Sequence, residues 1–429
     1  MGKHADLLAR HRRVLPSWMV LYYDEPIALV DGKGRHVIDA EGNEYLDFFA
    51  GILTTMTGYN VPEVVAAIKA QADKMLHTST LYLIENQIEL AEKIADLSGI
   101  PDAKVFFTNS GTEANDAALM LATQHRKSNQ VLAIRGSYHG KSHSTVAITG
   151  QKNWSATSLY PFNVAYVHGG YRYRSPFGHL SDAEFTAACV ADLENMLEVA
   201  TAGDVACMIA EPIQGVGGFV TPPDGFFGAM KEVLDRHGIL FISDEVQTGW
   251  GRTGEHFWGY QSHGITPDIL TFAKGLGNGL AMAGVVARGD LMDSLPANSI
   301  STFGGNPLST AGALANLRYV IDHDLQTNAY KVGNHLRNRI DGLAERSDLI
   351  GEVRGKGLMM GVELVKPGGK EPNAAAAAAV MEQARKEGLL IGKGGLYGNV
   401  LRIAPALTLT EDEADAGYAM LEAAIARSE

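Results

Sequence analysis

FFTNSGTEANDAALMLA, residues 106–122, decides how this chain folds. An apolar run stops at Asn109-Ser110-Gly111-Thr112, and a stretch with alanine and leucine at helical spacing starts at once. Turn residues bounding a short apolar run mark a strand, and a hydroxyl residue just before an apolar-periodic stretch marks a helix start. The same strand-then-helix alternation repeats outward from this junction. KVFFTN, QVLAIR, NVAYV, VACMIAEPI, ILFISDEV, DILTFAK and AGVVAR follow one another between about residues 103 and 290, separated by helix-like stretches such as GFFGAMKEVLDRHG. These runs are near-continuously apolar, as strands covered by helices on both faces must be, so the pattern predicts an α/β fold with a large, mostly parallel, seven-stranded sheet.

The chain ends read differently. PIALVDGKGRHVIDAEGNEYLDFFAG, residues 26–51, sets two glycine-containing turn signals between short strand-like pieces and predicts a meander. Residues 313–340 carry sustained helical periodicity, while LMMGVELV and NVLRIAP read as strands. The alanine run after Asn373 is framed by that residue and Gly388, both cap residues, and is expected to be a plain helix. Both ends together predict a smaller α+β domain, with residues 1–55 its N-terminal segment and 312–429 its C-terminal part, around a large cofactor-binding α/β domain at 56–311.

The 429 residues exceed the ~250–300 at which one hydrophobic core stops growing, in agreement with two domains. A net charge of −13 excludes sequence-independent binding to nucleic acid or to an anionic membrane, since both attract basic surfaces. Small molecules and a second copy of the chain are the expected partners. Cys189 and Cys207 lie far apart in apolar runs, which predicts buried thiols and no disulfide or zinc site. The basic opening MGKHADLLARHRRVLP precedes no long apolar stretch, and no run of about 18 apolar residues occurs anywhere, so a cytoplasmic enzyme is expected; its arginines leave an organelle transit peptide as the alternative, against which Asp6 and the shortness of the segment count.

The junction at Asn109–Thr112 also carries chemistry. Amides at a helix start are unpaired and lie at the positive end of the dipole, so they suit a phosphate, with the Ser110 and Thr112 hydroxyls as further donors. An ordinary N-cap uses the same residues. Neither a P-loop nor GxGxxG is present. ILFISDEVQTGWGRTG delivers Asp244 and Glu245 at the C-terminal end of a strand, where open α/β sheets place ligands. One of these acids can bind a cationic ring nitrogen or a metal, or merely cap the following loop; no His/Cys cluster with metal spacing accompanies them, so no metal is expected. His139 and His143 stand four apart in a Gly/Ser-rich, non-helical stretch. DILTFAKGLGNG ends a strand in Lys274, set among apolar residues and glycines; desolvation there lowers the amine pKa, as a nucleophile forming a Schiff base requires.

Phosphate cup, strand-end aspartate and strand-end lysine, in that order, match what pyridoxal 5'-phosphate needs for its phosphate, pyridinium nitrogen and aldehyde. NSGTEAND, SYHG, AEPIQGVGG, DEVQTGWGRTG, AKGLGNG, STFGGNP and LRIAPAL together resemble the class III, or ω-amino acid type, aminotransferases of fold type I, in register from about residue 20 to 420. The likeness is greatest to members acting on β-alanine, other ω-amines or alanine with glyoxylate or pyruvate. The resemblance implies a ping-pong aminotransferase that moves the amino group of a β-alanine-like amine to a 2-keto acid. It implies that Lys274 holds the cofactor and shuttles the proton, and that Asp244 holds the ring nitrogen. Ser110, Gly111 and Thr112 would bind the phosphate, Tyr138 and Val246 would cover the two ring faces, and Gln247 would bond the ring hydroxyl. Thr302 would reach a partner's phosphate across a homodimer with composite active sites. Arg402 would clamp the keto-acid carboxylate, and Glu211 would pair with Arg402 when an amine without an α-carboxylate is bound. A related reaction on the same cofactor, by an amino-group lyase, phospho-lyase, aminomutase or racemase, would share Lys274 and Asp244. Arg172 or Arg174 is a candidate for a distal carboxylate, and Trp18, Tyr22 and Leu53 for the pocket wall.

Overall fold

The computed structural model describes residues 3–429; Met1 and Gly2, at the head of the expected N-terminal segment, lie outside them. All seven apolar runs form one sheet, in the spatial order Ala103–Thr108, Ala283–Arg288, Ile269–Phe272, Leu240–Asp244, Cys207–Ala210, Gln130–Ile134, Asn163–Val167. Ala283–Arg288 is antiparallel to both of its neighbours, and the other pairings are parallel. The remaining strands therefore share one direction, and their C-terminal ends open on one edge of the sheet. Covering helices account for the apolar composition. Val131 and Ala133 join the cluster that includes Ala114 and Leu121 of helix Gly111–Arg126. Leu132 and Ile134, on the other face, join Phe185 and Leu193 of helix Asp182–Val199 and Phe226 and Met230 of helix Phe226–Arg236. That is the period-two alternation of a strand buried twice.

Cys189 and Cys207 are free and buried, and burial pushes both thiols up to about 12, so neither is a nucleophile at neutral pH.

The meander forms as Leu29–Lys33, His36–Asp39 and Glu44–Asp47, and the C-terminal strand Leu389–Leu390 adds to it in parallel, pairing Leu389 with Leu46. A separate four-stranded sheet contains Ile350–Lys356, Met359–Leu364, Val400–Ile403 and Gly392–Gly394 in that order. Asn373 caps helix Ala374–Lys386 by accepting from the Ala376 amide at 3.0 Å. The continuous periodicity over 313–340 conceals a break. Two helices, Pro307–Asp322 and Leu325–Ala344, meet at Asp324, whose φ of +46° ends the first; aspartate is among the few side chains that tolerate this left-handed region.

Leu325–Ala344 packs its Gly333 directly on the Gly357 backbone, where an added Cβ would lie 2.4 Å from a carbonyl carbon. Gly357, itself at φ +53°, lies equally tight against the Arg252 and Thr253 backbone, so neither side has room to retreat. We expect Gly333→Ala to cost about 1–3 kcal/mol of stability through overpacking. Thermal denaturation checks this: an unchanged midpoint would show that the Gly357 turn yields.

Candidate active site

Ser110, with extended backbone at φ −148°, ends the run after Ala103–Thr108 and caps helix Gly111–Arg126. Its Oγ accepts from the Glu113 amide at 3.2 Å, while the Glu113 carboxylate accepts from the Asn109 amide at 2.8 Å. The first intrahelical bond runs from Ala114 N to Ser110 O at 3.0 Å, which leaves the Gly111 and Thr112 amides ahead of it. Cap and anion cup thus coexist: one hydroxyl closes the helix, and two amides stay available at its positive end. Gly111 lies close against Val246, where a Cβ would be 3.2 Å from Cγ2.

Strand Leu240–Asp244 separates its two acids onto different environments. Asp244 Oδ2 accepts from Asn115 Nδ2 at 2.8 Å and lies 2.7 Å from His139 Nδ1, while Oδ1 accepts from the Val246 amide at 3.1 Å. The carboxylate places the imidazole proton on Nδ1 and leaves His139 Nε2 without a partner. Thr271 Oγ1 in turn donates to Asn115 Oδ1 at 2.7 Å. Glu245 is instead a buried strap, accepting from Ser243 and Thr248 hydroxyls and from the Gly259 and Tyr260 amides. Its bonds go entirely to the protein. The partners Asn115 and His139 escaped the sequence reading. The (i, i+4) spacing of His139 and His143 drew attention to the wrong property, since His143 Nδ1 turns to the Leu159 carbonyl at 2.9 Å.

Lys274 opens the turn Lys274–Gly277 directly after strand Ile269–Phe272, in the left-handed region at φ +46°. Buried Asn316 holds that turn by donating to the Gly275 and Leu276 carbonyls at 2.9 and 3.0 Å, and Asn278 anchors its end to Thr57 and Gly58. Burial pushes the Lys274 amine below its ordinary range, Asp244 and Glu211 pull it back up, and Arg402 pushes it down again. Among the described residues its amine makes no hydrogen bond or ion pair.

Glu211 follows strand Cys207–Ala210 and accepts from the Tyr138 amide at 2.9 Å and the Gly215 amide at 2.8 Å. Burial raises its carboxyl to about 7. Arg402, in strand Val400–Ile403 of the other sheet, is 3% exposed yet pairs with no acid. Its guanidinium donates to the carbonyls of Gly215 and Lys393, both at 3.2 Å, and to the Tyr22 hydroxyl at 3.3 Å, between the rings of Phe49 and Phe219. The expected Glu211–Arg402 pair is thus not made in this structure. One residue stands between them, the Gly215 N–H donating to the acid and its C=O accepting from the guanidinium. Gly215 has no room for a side chain, because a Cβ would lie 2.1 Å from Gln247 Nε2.

Tyr138 packs edge-on against Trp154 at 5.4 Å. Buried Gln247 leaves Oε1 without a partner. Thr302 lies exposed on the loop before helix Pro307–Asp322. Tyr22 reaches the site through Arg402, Leu53 is buried in the cluster with Phe49, and Trp18 lies exposed with the Lys141 amine 5.9 Å from its ring. Of the two candidates for a distal carboxylate, Arg172 is paired with Asp182, and Arg174 with Glu363 at 2.5 Å and with the Lys370 carbonyl. The partners of Arg174 lie 189 and 196 residues along the chain, whereas Asp182 follows Arg172 by ten.

Two free amides at a helix start, an unpaired, half-buried lysine, a hydrogen-bonded carboxylate and an unpartnered amide oxygen make a donor set that fits pyridoxal phosphate. They gather at the C-terminal edge of a sheet in an α/β enzyme built to hold that cofactor. The sequence profile of the class-III aminotransferases matches residues 22–425. The chain is 41% identical over 424 residues to the mitochondrial alanine–glyoxylate aminotransferase 2 homolog 2 of Arabidopsis thaliana, covering 96% of this chain and 86% of that protein. It is 38% identical over 427 residues to the leucine/methionine racemase of Thermococcus litoralis, covering 98% and 95%. An amine transaminase from an uncultivated Pseudomonas species, solved in its PLP-bound form, superposes with a TM-score of 0.90 at 31% identity over 97% of this chain and 98% of that one. The chain belongs to the class III aminotransferases, enzymes dependent on pyridoxal phosphate.

A glutamate whose carboxyl is raised in the folded state binds its proton there at pH values where the unfolded chain has lost it, so its contribution to stability falls as pH rises through that interval. For Glu211 the interval runs from its ordinary 4.5 to about 7. We expect cofactor-free wild type to lose on the order of 3 kcal/mol relative to Glu211→Gln across it. Parallel denaturation curves at several pH values test this, and parallel pH profiles for the two proteins would contradict it.

Proposed function

We propose that the enzyme transfers the amino group of an ω-amino acid, β-alanine or a close relative, to pyruvate or glyoxylate in a ping-pong reaction centred on Lys274. The observation that carries this reading is the buried Arg402 guanidinium, which has only neutral partners. A carboxylate outcompetes two carbonyls at 3.2 Å and a phenol at 3.3 Å for a planar fork, so the position is suited to a keto acid. An acid with a carboxyl near neutrality on the far side of Gly215 is available to Arg402 when the substrate brings no α-carboxylate.

Bound pyridoxal phosphate supplies an aldehyde that exchanges amino groups and a ring that withdraws electrons from the substrate's amino-bearing carbon. Lys274, whose lowered pKa favours the neutral amine, would hold the cofactor and then carry the proton between that carbon and the cofactor's C4′ carbon, in one direction with the amine and in the other with the keto acid. Asp244 would hold the proton on the ring nitrogen, and Asn115 and His139 orient its carboxylate. The Gly111 and Thr112 amides, with Ser110 beside them, hold the phosphate. Tyr138 and Val246 cover the ring faces, and Gln247 Oε1 takes the ring hydroxyl.

We also propose a homodimer with composite sites, in which Thr302 serves the phosphate bound by a second copy. Support comes from the surface beside it: Phe303 is 60% exposed, and the neighbouring Ser301 and Gly304 line a cavity of about 820 Å³ together with Ile88, Phe106 and Ile300. The division into segments 1–55, 56–311 and 312–429 and a cytoplasmic place of action complete the proposal. No described helix is long and apolar enough to cross a membrane.

The likeness to a racemase favours a second reading, another reaction on the same cofactor that needs no keto acid. A panel of β-alanine, 3-aminoisobutyrate, 4-aminobutyrate, alanine, ornithine and phosphoethanolamine, each with and without pyruvate, glyoxylate or 2-oxoglutarate, separates the two. Conversion of more than one equivalent of amine per enzyme site without a keto acid, and without accumulation of the pyridoxamine form, would replace transamination by the second reading.

Borohydride reduction of the holoenzyme should fix the cofactor covalently on Lys274, and Lys274→Ala should abolish turnover; peptide mapping to another lysine would remove the assignment. In single-turnover measurements Arg402→Ala should slow the keto-acid half-reaction at least about tenfold more than the amine half-reaction, the loss of a charge-assisted bidentate contact. Equal slowing of both would leave Arg402 a merely structural role.

A further inference from the structure

A cavity of about 280 Å³ lies apart from Lys274, enclosed by Arg135, Gln151, His168, Arg174, Gln214 and, from the tip of the hairpin that carries Arg402, Leu396. Two of its polar groups are incomplete. Gln151 is 1% exposed; its Nε2 donates to the Gly136 carbonyl at 2.7 Å, which fixes the amide orientation and leaves Oε1 a buried acceptor with no donor. Arg174 spends Nε on Glu363 and Nη1 on the Lys370 carbonyl, and its Nη2 is buried with no acceptor. Each such group is costly to leave unsatisfied. Arg135 adds a second guanidinium, its Nη1 3.0 Å from His168 Nε2.

The charge of the wall selects the ligand. No aspartate or glutamate lines the cavity, and Glu363 is already taken by Arg174, Arg354 and Tyr171. An ammonium group would find no counter-charge there, whereas a carboxylate finds two guanidinium groups and a neutral hydroxyl can satisfy Gln151.

We propose that this cavity is a second small-molecule site that takes a small hydroxy acid, its carboxylate on Arg174 and Arg135 and its hydroxyl donating to Gln151 Oε1. The site shares a wall with the reaction centre. Gln214 and Gly217 face the cavity, while Gly215 between them carries the bonds to Glu211 and Arg402. The Val216 carbonyl accepts from Gly395 at 2.9 Å, and Leu396 accepts from Asn153 at 3.2 Å, so the cavity closes against the hairpin that positions Arg402.

L-lactate tests the proposal, since it has a carboxylate and a hydroxyl but no amine to react. Titration calorimetry is run on holoenzyme of wild type, Arg402→Ala, Gln151→Leu/Arg402→Ala and Leu396→Trp/Arg402→Ala, with melting curves to verify folding. Leu396 is 40% exposed, so a tryptophan there fills the cavity mouth without burdening the core. We expect Arg402→Ala to retain one lactate site, both double variants to weaken it at least about tenfold, and acetate, lacking the hydroxyl, to bind it more weakly than lactate. Loss of all lactate binding in Arg402→Ala, undiminished binding in Leu396→Trp/Arg402→Ala, or acetate binding as tight as lactate overturns the proposal.

Discussion

The site depends on keeping one amine away from water without giving it a permanent partner. A lysine side chain is ordinarily hydrated and charged, and moving it inside protein favours its neutral form. Lys274 satisfies that demand within limits, because Asp244 and Glu211 lie near enough to pull its pKa upward and neither binds it. The arrangement needs three strand ends to converge, and the shared direction of the parallel strands supplies this without any long loop. It also needs the chain to turn sharply on the lysine itself. Asn316 and Asn278, from outside the strand, hold the left-handed turn that a lysine alone would not prefer.

The approach of the second sheet is limited by Gly215. Three polar groups need space around that one residue: the Gln247 amide fills the volume of its missing side chain, Glu211 takes its N–H, and Arg402 takes its C=O. Neutral acceptors hold a guanidinium more weakly than a carboxylate does. Arg402 is therefore kept in place while remaining free to change partners.

Much of this was legible in the chain. Seven apolar runs announced the sheet because burial on both faces leaves little room for polar residues, and the Ser110 junction was visible because helix starts use few residue types. Lys274 stood out because a charged residue ending a run such as ILTFA is costly without a purpose. Other features depend on contacts remote in sequence and carry no local mark. Asn115 sits mid-helix in an alanine-rich face, His139 in a glycine-rich loop, and only the folded chain brings both onto Asp244. The neighbours Asp244 and Glu245 were indistinguishable as letters; the partners each one meets separate them. The break at Asp324 was masked because the apolar spacing continues across it, and the pairing of Arg174 with Glu363 was hidden because the two lie far apart along the chain.

Asp244 ends a strand of the central sheet and Lys274 opens the turn that follows its neighbour, whereas Arg402 stands on a strand of another sheet. Inheritance can act on these two frameworks separately. Substitutions in the second sheet or its hairpin alter what docks beside Lys274 while the strands that set its position remain intact. Descendants of one ancestral chain can thereby explore new chemistry without first losing the old, which accords with an aminotransferase and a racemase each aligning over nearly the whole of this protein.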